Sequence, residues 1–169
     1  WRTDLLFSDF DCFMRLLLAE LSQTVKRLQS PIALRLNTYS DLDWSPVDRF
    51  INRAIGKDSI RFEYTKRKDL INHRRHRSNG SINVHFAYSA KGPKFDNREF
   101  FNIVMRLGHN VAIVCDRLPT GKTLFGRPWV NGDDNDRNVY LHSGKFIILL
   151  PKGKLDGNSN FVYTLKGNQ

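Results

Sequence analysis

The chain has 169 residues, with 27 Lys and Arg against 17 Asp and Glu, a formal charge of +10, a hydrophobic share of 40% and 12% aromatics. That length and apolar content suit one domain with a real core, leave little room for two, and exclude general disorder. No apolar run approaches the roughly 18 residues of a membrane span, since Arg15 and Glu20 interrupt the longest stretch, 13–21.

Taken in order, the elements predict an α/β domain over 1–169. Phe10, Phe13, Met14, Leu17, Leu21, Val25 and Leu28 recur at helical spacing, so 9–29 is an amphipathic helix that Asp9 or Asp11 can cap and Ser30-Pro31 stops. Ile32 to Asn37 is a short buried strand. Ser45-Pro46-Val47-Asp48 starts the next helix, with Val47, Phe50, Ile51, Ala54 and Ile55 inward and Gly56 at the exit. Ile60 to Thr65 is a second strand, followed by a basic, weakly helical stretch to about Arg77 and a turn at Ser78-Asn79-Gly80. Ile82 to Tyr88 is a third strand. Asp96 and Glu99 frame a helix that carries Phe100, Ile103, Val104 and Leu107 on one face, and Asn110 to Cys115 is a fourth strand. This alternation argues for a mostly parallel sheet, open or a partial barrel, with flanking helices.

After Asp116 the pattern changes. Residues 117–138 hold Gly, Pro and Asp/Asn clusters and are expected as a long loop or insertion. The segment 139–165 is expected as a C-terminal β-hairpin and tail, the hairpin formed by Val139-Tyr140-Leu141 and Phe146 to Leu150 around Ser143-Gly144. Phe161 to Leu165 could then form an edge strand.

Cys12 and Cys115 make neither a disulfide framework nor a CxxC metal site, and two buried free thiols in a reducing cytosol are expected. The start has no secretory pattern, and because Trp1 is not an initiator the native N-terminus is expected to be missing or processed.

Strand carboxyl ends in such a domain share one edge, where ligands bind. They offer Asn37, Thr38, Ser40 and Asp41; Tyr64, Thr65 and Lys66; Tyr88, Ser89 and Lys91; and Asp116 with Arg117. The run 131–137 concentrates Asp133, Asp134 and Asp136, hard oxygen donors that suit Mg²⁺, although a solvated Asx-rich turn has the same composition. Gly121-Lys122-Thr123 ends like a phosphate-binding loop, but Asp116 stands where the first glycine is required, leaving only simple anion contact by Lys122. Lys66, Arg67 and Lys68 with Arg74, Arg75 and Arg77 form the densest positive segment, suited to phosphate contacts or to a solvated basic face; His73 and His76 belong to that patch. No GxSxG, HExxH or Cys–His pairing supports a hydrolytic triad.

Leu34-Arg35-Leu36-Asn37 with Ser40-Asp41, Phe62-Glu63-Tyr64-Thr65-Lys66, Asn83 to Ser89, and Val111 to Val114 resemble successive strands of the phage "gene product 88" domain family. Asn131-Gly132-Asp133 with Asp136-Arg137, then Lys152-Gly153, is similar to that family's acidic loop and closing strand, so the resemblance covers about 10–155. It implies a phage or mobile-element origin and a candidate site of Asp41, Lys66, Ser89, Asp116, Asp133 and Asp136.

The leading expectation is therefore an accessory protein of the host-cell cytoplasm that binds DNA or RNA through the 66–77 segment, with no membrane role. The rival is a Mg²⁺-dependent nuclease or other phosphoryl-transfer enzyme, with Asp41, Lys66 and Asp116 catalytic and Asp133 and Asp136 as metal ligands. A third expectation is a non-enzymatic inhibitor docking on an acidic host protein.

Overall fold

The structure, a computed structural model, describes residues 2–38, 40–72, 84–153 and 160–165. Two helices open the chain, α1 (Arg2–Ser8) and α2 (Phe10–Leu28). Asp9 caps α2 by accepting the amide of Cys12, and Gln29 ends it in a left-handed conformation. The periodic apolar face of α2 packs Met14 and Leu21 in one buried cluster with Trp44 and with Ile51 and Ile55 of α3 (Asp48–Ile55). A short 3-10 turn, Ser45–Val47, leads into α3. Ser45 does not cap the helix; its own amide donates to Asp43.

The strands β1 (Ala33–Leu34), β2 (Ile60–Thr65), β3 (Val84–Ser89), β4 (Asn110–Val114), β5 (Thr123–Leu124), β6 (Arg127–Asn131) and β7 (Phe146–Leu149) form one sheet in the order β1-β2-β3-β4-β7-β6-β5. All neighbours are parallel except β5 and β6. The remaining helices are α4 (Lys68–Asn72), α5 (Arg98–Arg106) and α6 (Asn138–Leu141). This is the expected mostly parallel α/β sheet with flanking helices, and of the two forms expected, open or a partial barrel, it is the open one.

The two faces carry different helices. On one, Tyr88, Val111, Ile113, Phe146 and Ile148 pack on Phe101, Val104 and Met105 of α5. On the other, Phe62, Ala87, Ala112 and Ile147 pack on Val139 of α6, with Tyr64, Tyr140 and Leu149 at the margin. Connections therefore leave the carboxyl edge toward opposite faces, and the strand order reverses beside β4. That combination opens a crevice in parallel α/β sheets.

Two buried polar side chains pin the connections. Asn110 donates to the carbonyls of Val139 and His142 and accepts from Lys145, which fixes α6. Arg61, 2% exposed, is paired with Asp48 and ties β2 to α3.

Three local expectations are corrected. Residues 139–141 are the helix α6, because Val139 has to cover Ala112 and Ile147 and Asn110 ties down both ends of the turn. The C-terminal hairpin is instead β5–β6, inside the stretch read as a long loop. Its tight turn places Phe125 (φ 50°) and Gly126 (φ 77°) in the left-handed region that such two-residue turns demand. In α5 the buried face is Phe101, Val104 and Met105; Val104 is buried as read and Phe100 and Leu107 pack partly buried against the same core, but Ile103 is 43% exposed. The 160–165 segment runs beside the end of β4 as a single parallel bridge between Tyr163 and Cys115. Among the described residues, no helix is long and apolar enough to cross a membrane.

Candidate functional site

Above the face covered by α6, the sheet's carboxyl edge opens into two adjoining clefts. The larger, about 540 Å³, lies under the loop that leaves β6 and is lined by Asp133, Asp134, Asn135, Asp136 and Lys152. The second, about 400 Å³, lies toward β1 and includes Asn37, Ser40, Asp41, Thr65 and Lys66. Arg35, Tyr64 and Ser89 line both and form the wall between them.

That wall follows from strand alternation. Tyr64 pairs in register with Ala87, and Ser89 with Ala112, so both side chains rise on the α6 face at the ends of β2 and β3. The Arg35 guanidinium lies 4.7 Å from the centre of the Tyr64 ring. Burial, reinforced by the charges of Asp136 and Asp133, pushes the Tyr64 phenol up to about 12, so it stands protonated as a hydrogen-bond donor at neutral pH.

The acidic loop is held by the sheet. Asp133 accepts the amide of Leu150 at 2.6 Å, Asn131 donates to Asp134 at 2.6 Å, and Asn138 donates to the Asn131 carbonyl. Gly132 lets it approach: a Cβ there would stand 2.5 Å from Ile147 Cγ2 and 2.8 Å from Leu149 Cδ2. In the second cleft, Asp41 accepts from the Thr65 hydroxyl and, at 2.7 Å, from the Lys66 amide. Around it Asn37 accepts from Ser40, Leu42 and Trp44 and donates to the Leu42 carbonyl.

The structure thus brings Asp133 and Asp136 into one cleft and Asp41 and Lys66 into its neighbour, with Ser89 shared. Asp116 joins neither. Its carboxylate accepts the Leu165 amide at 3.0 Å and faces Arg117, so it clamps the 160–165 segment. Among the described residues, no group of three or more His, Cys, Asp or Glu side chains is arranged to hold a metal ion. The sequence reading quoted Arg35 and Lys152 in the resemblance but left both out of the candidate site; a lone arginine in the apolar run 33–36 was the available signal for the first.

The basic segment divides. Arg67 is paired with Asp69 and also donates to the Asp41 carbonyl. Lys66 and Lys68 instead lie over rings, Lys66 Nζ 5.4 Å from Phe161 and Lys68 Nζ 4.5 Å from Phe100. Arg98 likewise lies over a ring, its guanidinium 4.3 Å from the centre of Phe125. All three cations are exposed, and among the described residues none makes a salt bridge. Arg74, Arg75 and Arg77, with His73 and His76, lie outside the described residues.

No curated protein and no solved structure matches this chain. The model of the Gene product 88 family matches residues 1–164, and the chain belongs to that family.

Proposed function

We propose that this protein binds nucleic acid through its exposed cations Lys66, Lys68 and Arg98, as a phage accessory protein acting in the host cytoplasm. The observation that carries the reading is the pairing of these exposed cations with Phe161, Phe100 and Phe125 in place of carboxylates. A cation in a salt bridge has its charge neutralised. One resting on a ring keeps its charge and offers phosphates an unopposed partner. The formal charge of +10 adds a long-range field of the same sign.

The test is binding of labelled single- and double-stranded DNA and RNA across a salt series, with Mg²⁺, Mn²⁺ or EDTA present and cleavage scored together with binding. Salt-sensitive binding without cleavage is the expected result. No binding at low salt removes the proposal and leaves the positive surface as a dock for an acidic host protein.

A second reading, phosphoryl transfer in the edge clefts, is favoured by one observation. Asp133 and Asp136 share a cleft with Arg35 and Lys152, so carboxylates for Mg²⁺ and cations for phosphate oxygens meet there. Asp41 and Lys66 would serve from the neighbouring cleft, whereas Asp116 has no part in it. Cleavage that requires metal and is lost in Asp136→Asn would promote this reading over simple binding.

A further inference from the structure

We propose that the larger edge cleft binds a free basic amino acid, with its α-carboxylate on Arg35 and its positive groups on the acidic loop. This goes beyond the nucleic-acid reading, and it gives the cleft a different occupant from the phosphoryl-transfer reading.

The charges of the cleft point first to such a ligand. Asp133, Asp134 and Asp136 line it together with Arg35 and Lys152. Its volume of about 540 Å³ lies within the roughly 300–1,000 Å³ usual for small-molecule sites. Three carboxylates against two cations make it locally negative in a chain of formal charge +10. A polyanion is repelled from such a place, whereas a ligand with one negative and two positive groups neutralises it.

The opposite charges share the cavity without pairing. Among the described residues, no salt bridge joins Arg35 or Lys152 to any of the three carboxylates. Arg35 and Asp136 nevertheless both act on the Tyr64 phenol, Asp136 raising its proton affinity and Arg35 lowering it. The phenol therefore lies near both, with open space between the two signs.

On the positive side the donors are held but unused. The Arg35 guanidinium rests 4.7 Å from the centre of the Tyr64 ring, and its Nε donates to the Asn37 carbonyl at 3.3 Å. Glu63 feels its charge from within the sheet, but the Glu63 oxygens are given to the Leu36 and Asn37 amides. The two terminal nitrogens of Arg35 and the hydroxyls of Tyr64 and Ser89 have no acceptor among the described residues. The unpartnered polar atoms that are sealed from solvent belong to Asn52, Arg61 and Tyr163. These four donors therefore reach the clefts that their residues line. A fixed guanidinium fork flanked by hydroxyls matches the two oxygens of a carboxylate.

On the negative side, the Asp136 carboxylate has no donor among the described residues. Asp133 gives one oxygen to the Leu150 amide and Asp134 one to the Asn131 side chain, which leaves each a second. An ammonium needs only one such acceptor. A phosphate would deepen the negative charge unless a metal ion came with it. Among the described residues, no three His, Cys, Asp or Glu side chains are grouped to hold one.

The test is isothermal titration calorimetry on the full chain in EDTA, with L-lysine, L-arginine, glycine, L-glutamate and L-lysinamide. Inorganic phosphate with Mg²⁺ is titrated separately, without EDTA. Lysine and arginine are expected to bind at least about tenfold more tightly than the other three, each of which lacks a charge the cleft reads or carries a wrong one. Asp136→Asn, and Arg35→Lys, which keeps the charge but loses the fork, should each weaken lysine about tenfold. Because the Asp136 carboxylate has no partner, Asp136→Asn should melt at the wild-type temperature, which separates lost binding from lost folding.

Lysinamide binding as tightly as lysine overturns the proposal, since the cleft would then attract cations without reading a carboxylate. So does equal lysine affinity in wild type and Asp136→Asn. Binding of phosphate with Mg²⁺ and not of lysine overturns it in favour of the phosphoryl-transfer reading. Lysine binding in EDTA with no binding of any nucleic acid upholds the cleft and removes the surface reading.

Discussion

The Glu63 carboxylate accepts the backbone amides of Leu36 at 3.2 Å and Asn37 at 3.0 Å, joining the exit of β1 to the interior of β2. This buried contact fixes the turn that carries Arg35 on one side and Asn37 on the other, so both edge clefts depend on it.

Glu63→Gln keeps the shape but replaces one acceptor with an NH₂ group, leaving a buried amide unsatisfied at a cost of about 1–3 kcal/mol. Burial raises the Glu63 carboxyl above its ordinary 4.5, despite the two amides that lower it. The folded state therefore holds this proton more tightly than the unfolded chain does. Its stabilising effect is full below the ordinary value and is lost as pH rises through the raised one. The deficit of Glu63→Gln should accordingly be largest in mild acid and shrink as pH rises from about 4.5, as read from urea midpoints at a series of pH values.

Gly132→Ala should destabilise the fold by about 1–3 kcal/mol through overpacking, since the new methyl would press on Ile147, Leu149 and the Ile148 carbonyl. The acidic loop has to lift away from β7 to relieve the clash, breaking the Asp133 contact with Leu150. Thermal melts measure the first effect, and faster amide exchange at Leu150 the second.

Lys66→Ala/Lys68→Ala removes two exposed cations that rest on rings. For nucleic acid binding, each lost phosphate contact lowers the slope of log affinity against log salt by about 0.7–0.9. The double variant should therefore lose between one and two units of slope in a fluorescence-anisotropy salt series. Arg67→Ala is expected to change the slope less, because its guanidinium is paired with Asp69.

Gly92→Ala should undock the 160–165 segment. At Gly92 (φ 119°) a Cβ would stand 1.8 Å from the Asn160 carbonyl oxygen, a clash with backbone that no rotamer relieves. Cys115 lies under that segment, fully buried, and burial pushes its thiol up to about 12. In the wild type a thiol reagent should modify Cys12 quickly and Cys115 slowly; in Gly92→Ala the second reaction should accelerate, as followed by mass spectrometry.

Much of the fold was legible because hydrophobic period and caps agreed. Asp9 with the 3.6-residue repeat gave α2 within a residue at each end, and Ile60 to Thr65 gave β2 as observed. Where tertiary demand decided, the reading failed. Val139-Tyr140-Leu141 has strand-like composition, yet forms a helix because Asn110, 29 residues before Val139, binds the carbonyls of Val139 and His142. Phe125 in a turn that favours Asn or Gly concealed the β5–β6 hairpin. For the site, polar residues at strand exits identified Tyr64, Ser89 and Asp41. Asp116 follows β4 by the same rule but is drawn to the 160–165 segment, which local pattern does not reveal.

The strand order also dictates a schedule for assembly. β7 sits between β4 and β6 yet is the last of the described strands to be synthesised, and Tyr163 follows it onto the end of β4. A nascent chain that has emerged only to about residue 145 holds β4 and β6 with facing edges unpaired, a template for other strands. Productive folding must wait for β7 and the segment that follows it, and a chain stalled before residue 146 would leave an aggregating species in place of a partly working domain.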